Sequence, residues 1–237
     1  MGGCHSLGGA TKAAAAATPA KKGEFSDIAA HKLNNNSKVA PSLAEKPYLR
    51  KAYVSEGIGP VDTRALSALP RGLDRAEWIA SNALAFFKLV SLLCGATSEF
   101  CTTRSCPTAT GPGNKTYYWT DEHGRKVKCS APLYADYAMS YIQELLTDEE
   151  VFPTRAGCPF PTGYIFLVQK VFSYLFHMLA HLYEAHFDNI VVAEMHPHLN
   201  TLLAHLVTFT QEFELLEPSE TAPLEDLITA LLHFHST

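Results

Sequence analysis

The chain has 237 residues, of which 47% are apolar and 18% charged, a composition typical of a globular protein with one sizeable core. It contains no uninterrupted apolar run of about 18 residues, so the sequence predicts no membrane-spanning helix. Six cysteines are too few for a disulfide scaffold. The alanine run at 13–17 is too short for a signal-peptide core, so we expect a cytoplasmic protein.

Charge is unevenly distributed along the chain. Residues 1–60 carry eight Lys/Arg and four Asp/Glu, whereas residues 61–237 carry eleven and twenty. Beyond Lys170 there are nine carboxylates and no Lys or Arg. Such a domain repels nucleic-acid phosphates and attracts basic partners. Charge alone is equally consistent with an acidic surface that binds nothing.

The distribution of apolar residues divides the chain into three parts. Residues 1–45 have few large apolar side chains and cannot bury enough surface to offset the entropy of ordering, which predicts a disordered tail. Residues 46–70 predict a sparse bridging segment. Residues 71–237 have apolar residues at helical spacing, which predicts a single, mostly α, bundle-like domain.

The predicted elements of this domain follow one another closely. The first helix begins after Asp74, a candidate N-cap, and its apolar pattern continues to Cys94. A loop at 101–113 follows it. Two short β segments flanking a turn then predict a small hairpin. These segments and the later helices occupy residues 117–119 and 126–128 for the hairpin, and residues 132–147, 163–190, 199–215 and 223–233 for the helices.

Two pairs of soft-metal ligands stand far apart in the chain. Cys101 and Cys106 lie in the predicted loop, and His181 and His186 lie in the longest predicted helix. Two thiolates and two imidazoles form the closed tetrahedral set that zinc prefers in structural sites. Histidine pairs at this spacing are also common without a metal, and the cysteine spacing is looser than that of most zinc fingers. Spacing alone therefore leaves both interpretations open.

Motifs for catalysis are absent from the sequence. It contains no glycine-rich phosphate loop, no G-x-S-x-G elbow and no H-E-x-x-H helix. Glu184 lies between the two histidines at a spacing that matches no zinc-protease motif. A zinc-dependent hydrolase is therefore the weaker alternative to a protein that is not an enzyme.

Eight short motifs occur in a fixed order from about residue 70 to about residue 230. They are 73–82 (LDRAEWIASN), 99–106 (EFCTTRSC), 117–119 (YYW), 127–132 (VKCSAP), 151–153 (VFP), 175–187 (LFHMLAHLYEAHF), 198–201 (HLNT) and 211–215 (QEFEL). Together they closely resemble the Mob/phocein family of kinase co-activators. The resemblance implies a mostly α bundle with a structural zinc bound by Cys101, Cys106, His181 and His186.

The same resemblance implies a non-catalytic adaptor. It would bind the basic, helical N-terminal regulatory segment of NDR/LATS-type AGC kinases through an acidic surface around the first long helix. Asp74, Glu77 and Trp78 are the implied contact residues, with a plain core role as the alternative for Trp78. Two acidic positions of the family are Leu73 and Ala85 here. A scaffold of the same fold that activates no kinase is a further alternative.

A second surface of the family binds phosphopeptides through three basic residues. The corresponding residues here are Ser173, Tyr174 and His177, which cannot supply the charge-assisted hydrogen bonds that a phosphate needs. We therefore expect no phosphopeptide binding. The sequence most resembles the class that pairs with NDR-type kinases alone.

The first six residues fit the pattern for N-myristoylation on Gly2. One myristoyl chain binds membranes only marginally, and palmitoylation of Cys4 would supply a second anchor. We therefore expect membrane association through an N-terminal lipid, with a chance Met-Gly start as the alternative.

Overall fold

This computed structural model describes residues 46–155 and 157–235. These residues contain nine α-helices and four short strands. The helices are α1 (Lys51–Val54), α2 (Thr63–Ser67), α3 (Arg75–Thr97), α4 (Ala131–Thr147), α5 (Tyr164–Ala185), α6 (Phe187–Val192), α7 (His196–Glu212), α8 (Pro218–Thr221) and α9 (Glu225–His235). The strands are β1 (Thr110–Gly111), β2 (Lys115–Thr116), β3 (Trp119–Thr120) and β4 (Lys126–Val127). The predicted mostly α fold is confirmed.

Helix α5 lies at the centre of the bundle and packs against α3 and α7. Its apolar residues cover most of its circumference, which is typical of a helix buried inside a protein. The rings of Phe86 on α3, Phe172 on α5 and Phe209 on α7 pack with centroid distances of 5.5 to 5.7 Å. These three rings join the three main helices into one core.

Helices α3 and α5 are long and apolar enough to cross a membrane by length and composition alone. In the structure they pack on one another. Helices buried in the core of a protein are often as long and as apolar as membrane-spanning helices. Helix α3 buries one face through Ile79, Phe86 and Val90, but Leu89 and Leu92 on another face are exposed. The apolar residues of α3 therefore exceed those that the core covers.

The single helix predicted at 163–190 is wrong, because the structure breaks it at His186. Helix α5 ends at Ala185, His186 has φ −129° and ψ 9°, and α6 begins at Phe187. On an unbroken helix, residues i and i+5 point about 140° apart. The break therefore allows His181 and His186 to face the same point.

The predicted hairpin is confirmed, with β3 and β4 paired antiparallel. A second antiparallel pair, β1 and β2, lies across the end of the predicted loop. Its turn, Pro112–Asn114, places Gly113 at φ 71° and Asn114 at φ 58°, conformations that glycine and asparagine tolerate best. The Gly-Pro-Gly-Asn sequence at 111–114 was the signal for this turn.

The two C-terminal helices differ from their predicted bounds. Helix α7 begins at His196, three residues before the prediction, because Pro197 is well suited to the first turn of a helix. The predicted helix at 223–233 corresponds to α9, with the one-turn α8 before it. Prolines in the first turn set the start of both α7 and α8.

The predicted bridging segment, residues 46–70, packs against the helical domain. Tyr48 and Val54 are buried, and the Tyr48 ring lies 5.5 Å from that of Tyr183 on α5. The segment thus contributes to the core despite its sparse apolar content. The predicted lipidation residues, Gly2 and Cys4, lie outside the described residues.

Capping of α3 by Asp74 provides a test of the local fold. Its Oδ1 accepts hydrogen bonds from the backbone N–H groups of Ala76 (2.8 Å) and Glu77 (3.1 Å). Asp74→Ala should lower the free energy of unfolding by about 1 kcal/mol. Asp74→Ser should lower it by much less, because serine also caps helices. Urea denaturation measures the difference, and equal stability of both variants would contradict the capping role.

Candidate functional site

The four predicted metal ligands converge at one point. The Cys101 Sγ lies 3.5 Å from the His181 Nε2, and the Cys106 Sγ lies 3.4 Å from the His186 Nε2. All four ligand atoms lie within 4.8 Å of one another. Sulfur and nitrogen ligands on a tetrahedral zinc are separated by about 3.6 Å. The four residues could therefore hold a metal ion, and their spacing fits a tetrahedral one.

The cysteine pair is held by a tight loop that follows α3. The Cys101 N–H donates to the Thr97 carbonyl (3.1 Å), and the Cys106 N–H donates to the Thr102 carbonyl (2.8 Å). Between them, the Ser105 hydroxyl donates to the Phe100 carbonyl at 2.6 Å. These bonds fold the loop back on itself, so both thiols face the break between α5 and α6.

A backbone contact from β1 orients His181. Its Nδ1 lies 2.8 Å from the Thr110 carbonyl oxygen. Because a carbonyl can only accept, Nδ1 carries the proton and the lone pair of Nε2 faces the cysteines. Contacts of this kind fix the tautomer of metal-binding histidines. The strand pair that the sequence did not predict thus supports the candidate metal centre.

The burial of the cluster shifts the pKa values of its ligands. Burial, together with the neighbouring Cys106, raises the pKa of Cys101 to about 12. Burial lowers the pKa of His181, and burial with the adjacent His181 lowers the pKa of His186 to about 4. The imidazoles are therefore neutral and able to bind a metal at pH 7. A bound cation would favour the thiolate form and release the thiol protons.

An apolar groove of about 480 Å³ lies on the exposed face of α3. One wall is α3, the second is α7, and the third is the segment that leads into α2. Leu92 at 70% exposure, Ile58 at 55% and Leu66 at 50% are its most exposed apolar residues. The groove is lined by Ile58, Val61, Leu66, Leu89, Leu92, Leu93, Met195, His198, Thr201, Leu202 and His205. We refer to these residues as the α3–α7 groove.

The predicted partner-contact residues lie at the start of α3. Trp78 is partly buried, and its Nε1 donates to the Ser67 carbonyl at the end of α2 (3.2 Å). Helical spacing places Trp78, Leu89 and Leu92 within about 60° of one another around α3. Glu77 is half-exposed, and Asp74 uses one carboxylate oxygen as the helix cap. Trp78 therefore braces α2, which carries Leu66 of the groove.

The three residues at the family's phosphopeptide positions do not form a cationic site. The Ser173 hydroxyl donates to the Glu220 carboxylate at 2.6 Å, and Tyr174 stacks on Trp119. His177 stacks on Tyr117, and burial, with a smaller effect of Lys115, lowers its pKa to about 3. The imidazole is therefore neutral at pH 7 and lies beside a carboxylate.

Comparison with known proteins agrees with this architecture. The sequence profile of the Mob1/phocein family matches residues 56–224. The chain belongs to this family. It is 44% identical over 200 residues to MOB kinase activator 2 of Mus musculus, a match that covers 84% of this chain and 85% of that protein. MOB kinase activator 2 of Homo sapiens is also 44% identical over 200 residues, covering 84% of each chain. MOB kinase activator-like 1A of Arabidopsis thaliana is 40% identical over 197 residues, covering 82% of this chain and 91% of that protein.

Sequence reasoning named the metal cluster of this Mob1/phocein family member but missed the groove. The exposed Leu89 and Leu92 received no role from the sequence, because other apolar residues surround them on α3. Ile58 and Leu66 fall in the segment predicted as a sparse bridge. A helix with more apolar residues than one face can bury was the available signal.

Metal binding can be tested with two matched cysteine variants. Cys106 and Cys129 are both buried, at 6% and 7% exposure, but only Cys106 belongs to the cluster. Cys106→Ser should remove bound metal and sharply lower the melting temperature, because structural metal sites contribute directly to folding. Cys129→Ser should keep its metal. Elemental analysis of purified protein decides, and wild-type protein with far less than one metal ion per chain would contradict the assignment.

Proposed function

We propose that this protein is a non-catalytic co-activator that binds the basic, helical N-terminal regulatory segment of an NDR/LATS-type AGC kinase. The observation that carries the proposal is the α3–α7 groove, whose apolar side chains remain exposed among the described residues. Its dimensions and apolar lining suit the apolar face of an amphipathic helix. The relatives named MOB kinase activator support a role in kinase activation.

Two carboxylates at the start of α3 would guide a basic partner. Asp74 caps α3 and Glu77 lies in its first turn, and the basic residues nearest to them on α3 are Arg75, which donates to the Phe213 carbonyl at 2.9 Å, and the exposed Lys88. Helix α7 lies beyond Lys170 and carries no Lys or Arg. Since Leu73 and Ala85 replace acidic residues of the family, we expect apolar contacts to supply most of the affinity and charge to guide association.

We propose that the metal is zinc and that its role is structural. The donor set of two cysteines and two histidines matches the closed sites that zinc prefers. A catalytic zinc keeps a position open for water, whereas four protein ligands fill the tetrahedron. This argues against the zinc-dependent hydrolase and supports a protein without catalytic activity.

We also propose that the surface around Ser173, Tyr174 and His177 does not bind phosphopeptides. A phosphate there would meet the Glu220 carboxylate and a neutral imidazole. Charge-assisted donors are what phosphate recognition requires. We therefore expect this protein to bind an NDR-type kinase and not to bind phosphopeptides of upstream kinases.

Two leucine variants test whether the groove binds the kinase segment. Leu92→Ser removes the most exposed apolar side chain of the groove, and Leu133→Ser makes the same change on α4, away from it. We expect Leu92→Ser to weaken binding about tenfold or more, as for a central interface residue, and Leu133→Ser to leave binding unchanged. Calorimetry with synthetic regulatory segments measures both. Equal affinities would place the partner elsewhere.

The acidic contribution has its own readout in the same assay. Raising the ionic strength should weaken binding to wild-type protein, and Glu77→Lys should both weaken binding and flatten the salt dependence. Circular dichroism confirms that the variant is folded.

An activity assay of a kinase that contains this regulatory segment then distinguishes a co-activator from a scaffold. A scaffold would bind the kinase without raising its activity.

We propose that lipids on Gly2 and Cys4 bring the otherwise cytoplasmic protein to membranes. Gly2→Ala removes the only amine that can be myristoylated, and Cys4→Ser removes the second anchor. Each change should move protein from the membrane fraction to the cytosol, and the double change most completely, because a single chain binds only marginally. Kinase binding in solution should not change. Wild-type protein that is fully soluble with an unmodified N-terminal mass would rule out the anchor.

A further inference from the structure

The third wall of the α3–α7 groove is a segment without helix or strand. Residues 55–62 connect α1 to α2, and we call them the strap. Within it, Gly57 and Gly59 flank Ile58, and Gly59 has φ +137°, a conformation that side chains disfavour. Ile58 is 55% exposed and lines the groove. The sequence of the strap, with a glycine on each side of Ile58, therefore does little to hold Ile58 in place.

Helix α7 holds the chain at the start of the strap through one buried side chain. Asn200 is 1% exposed, and its Nδ2 donates to the carbonyls of Tyr53 (2.8 Å) and Glu56 (2.9 Å). Its Oδ1 accepts from the Tyr183 hydroxyl of α5 at 2.8 Å. Asn200 uses both ends of its amide, so α5, α7 and the strap are linked through one residue.

Two further residues of α7 extend this contact. The Thr201 Oγ1 accepts a hydrogen bond from the Ile58 N–H at 3.2 Å. The His196 Nε2 lies 2.8 Å from a Glu56 carboxylate oxygen. Together, His196, Asn200 and Thr201 hold Tyr53 at the end of α1 and two residues of the strap, Glu56 and Ile58, of which Ile58 lines the groove. We call these three residues the α7 clamp.

We propose that the α7 clamp consists of positioning residues for the kinase segment, a proposal that rests on the proposed function. The clamp orders the Ile58 wall before the partner arrives. An interface that is already ordered loses less conformational entropy on binding, and so binds more tightly than a flexible one with the same contacts. Asn200 and His196 do not line the groove, so they act on the partner only through the strap, whereas Thr201 holds the strap and also lines the groove.

Two threonines of α7 allow a matched test. Thr201 and Thr210 are both buried, but the Thr210 hydroxyl donates to Val207 within the same helix. Thr201→Val removes the acceptor for the Ile58 N–H, Thr201→Ser keeps it, and Thr210→Val serves as the control. Glu56→Ala, on a residue at the surface outside the groove, weakens the clamp without altering the core.

Affinity for a synthetic kinase regulatory segment and hydrogen exchange of the Ile58 amide are measured for each variant. Thr201→Val should bind about three- to tenfold more weakly, the effect of one lost hydrogen bond, and its Ile58 amide should exchange faster. Glu56→Ala should also weaken binding, and since Glu56 lies outside the groove, unchanged affinity in this variant would mean that Thr201 acts by direct contact and not through the strap. Thr201→Ser and Thr210→Val should behave like wild-type protein in both measurements.

The two measurements separate the clamp from the proposed function. If Thr201→Val and Thr210→Val bind the segment equally well, the clamp does not position the partner. Unchanged exchange at Ile58 in Thr201→Val would also overturn the proposal, because the strap would then be held by something else. If wild-type protein binds no such segment, the proposed function fails, and the exchange measurement alone decides whether Thr201 holds the strap.

Discussion

The convergence of Cys101, Cys106, His181 and His186 is the constraint on which the rest of the structure depends. The cysteines come from a loop and the histidines from the end of α5, which are distant in sequence, yet their ligand atoms lie within 4.8 Å of one another. A bound cation would fix the end of α3 against the end of α5. Since α3 and α5 carry the core and one wall of the groove, the metal centre would also set the shape of the candidate binding surface.

The apolar residues of α3 serve two purposes. One face packs on α5 through Phe86 and Val90, and the neighbouring face remains open at Leu89 and Leu92. Leaving large apolar side chains in water is unfavourable, and contiguous exposed patches usually mark interaction sites. The strap and α7 close this patch on two sides and make it a groove. The shape of the groove thus depends on the same helices that form the core.

Local patterns predicted much of this architecture, and the reasons for their failures are physical. Asp74 as a cap and the hairpin follow from residue types at short spacing, whereas the four metal ligands were implied by the family resemblance, because their spacing alone left the metal interpretation open. The break at His186 could not be predicted, because no glycine or proline, the usual signals for the end of a helix, occurs between residues 164 and 196. The strap was missed because hydrogen bonds from the distant Asn200 and Thr201, not its own apolar residues, hold it.

Contacts with residues distant in sequence also shape two surfaces of the domain, the α3–α7 groove and the surface around His177. At the α3–α7 groove, buried polar side chains of α7 hold a wall without helix or strand, so this surface is ordered without adding charge to it. Around His177, stacking on Tyr117 and burial hold an imidazole neutral, while Glu220 accepts a hydrogen bond from Ser173. A positive charge placed there would be paired internally before it could meet a phosphate. The two surfaces therefore offer different chemistry: the groove presents apolar side chains, whereas the surface around His177 pairs its polar groups internally.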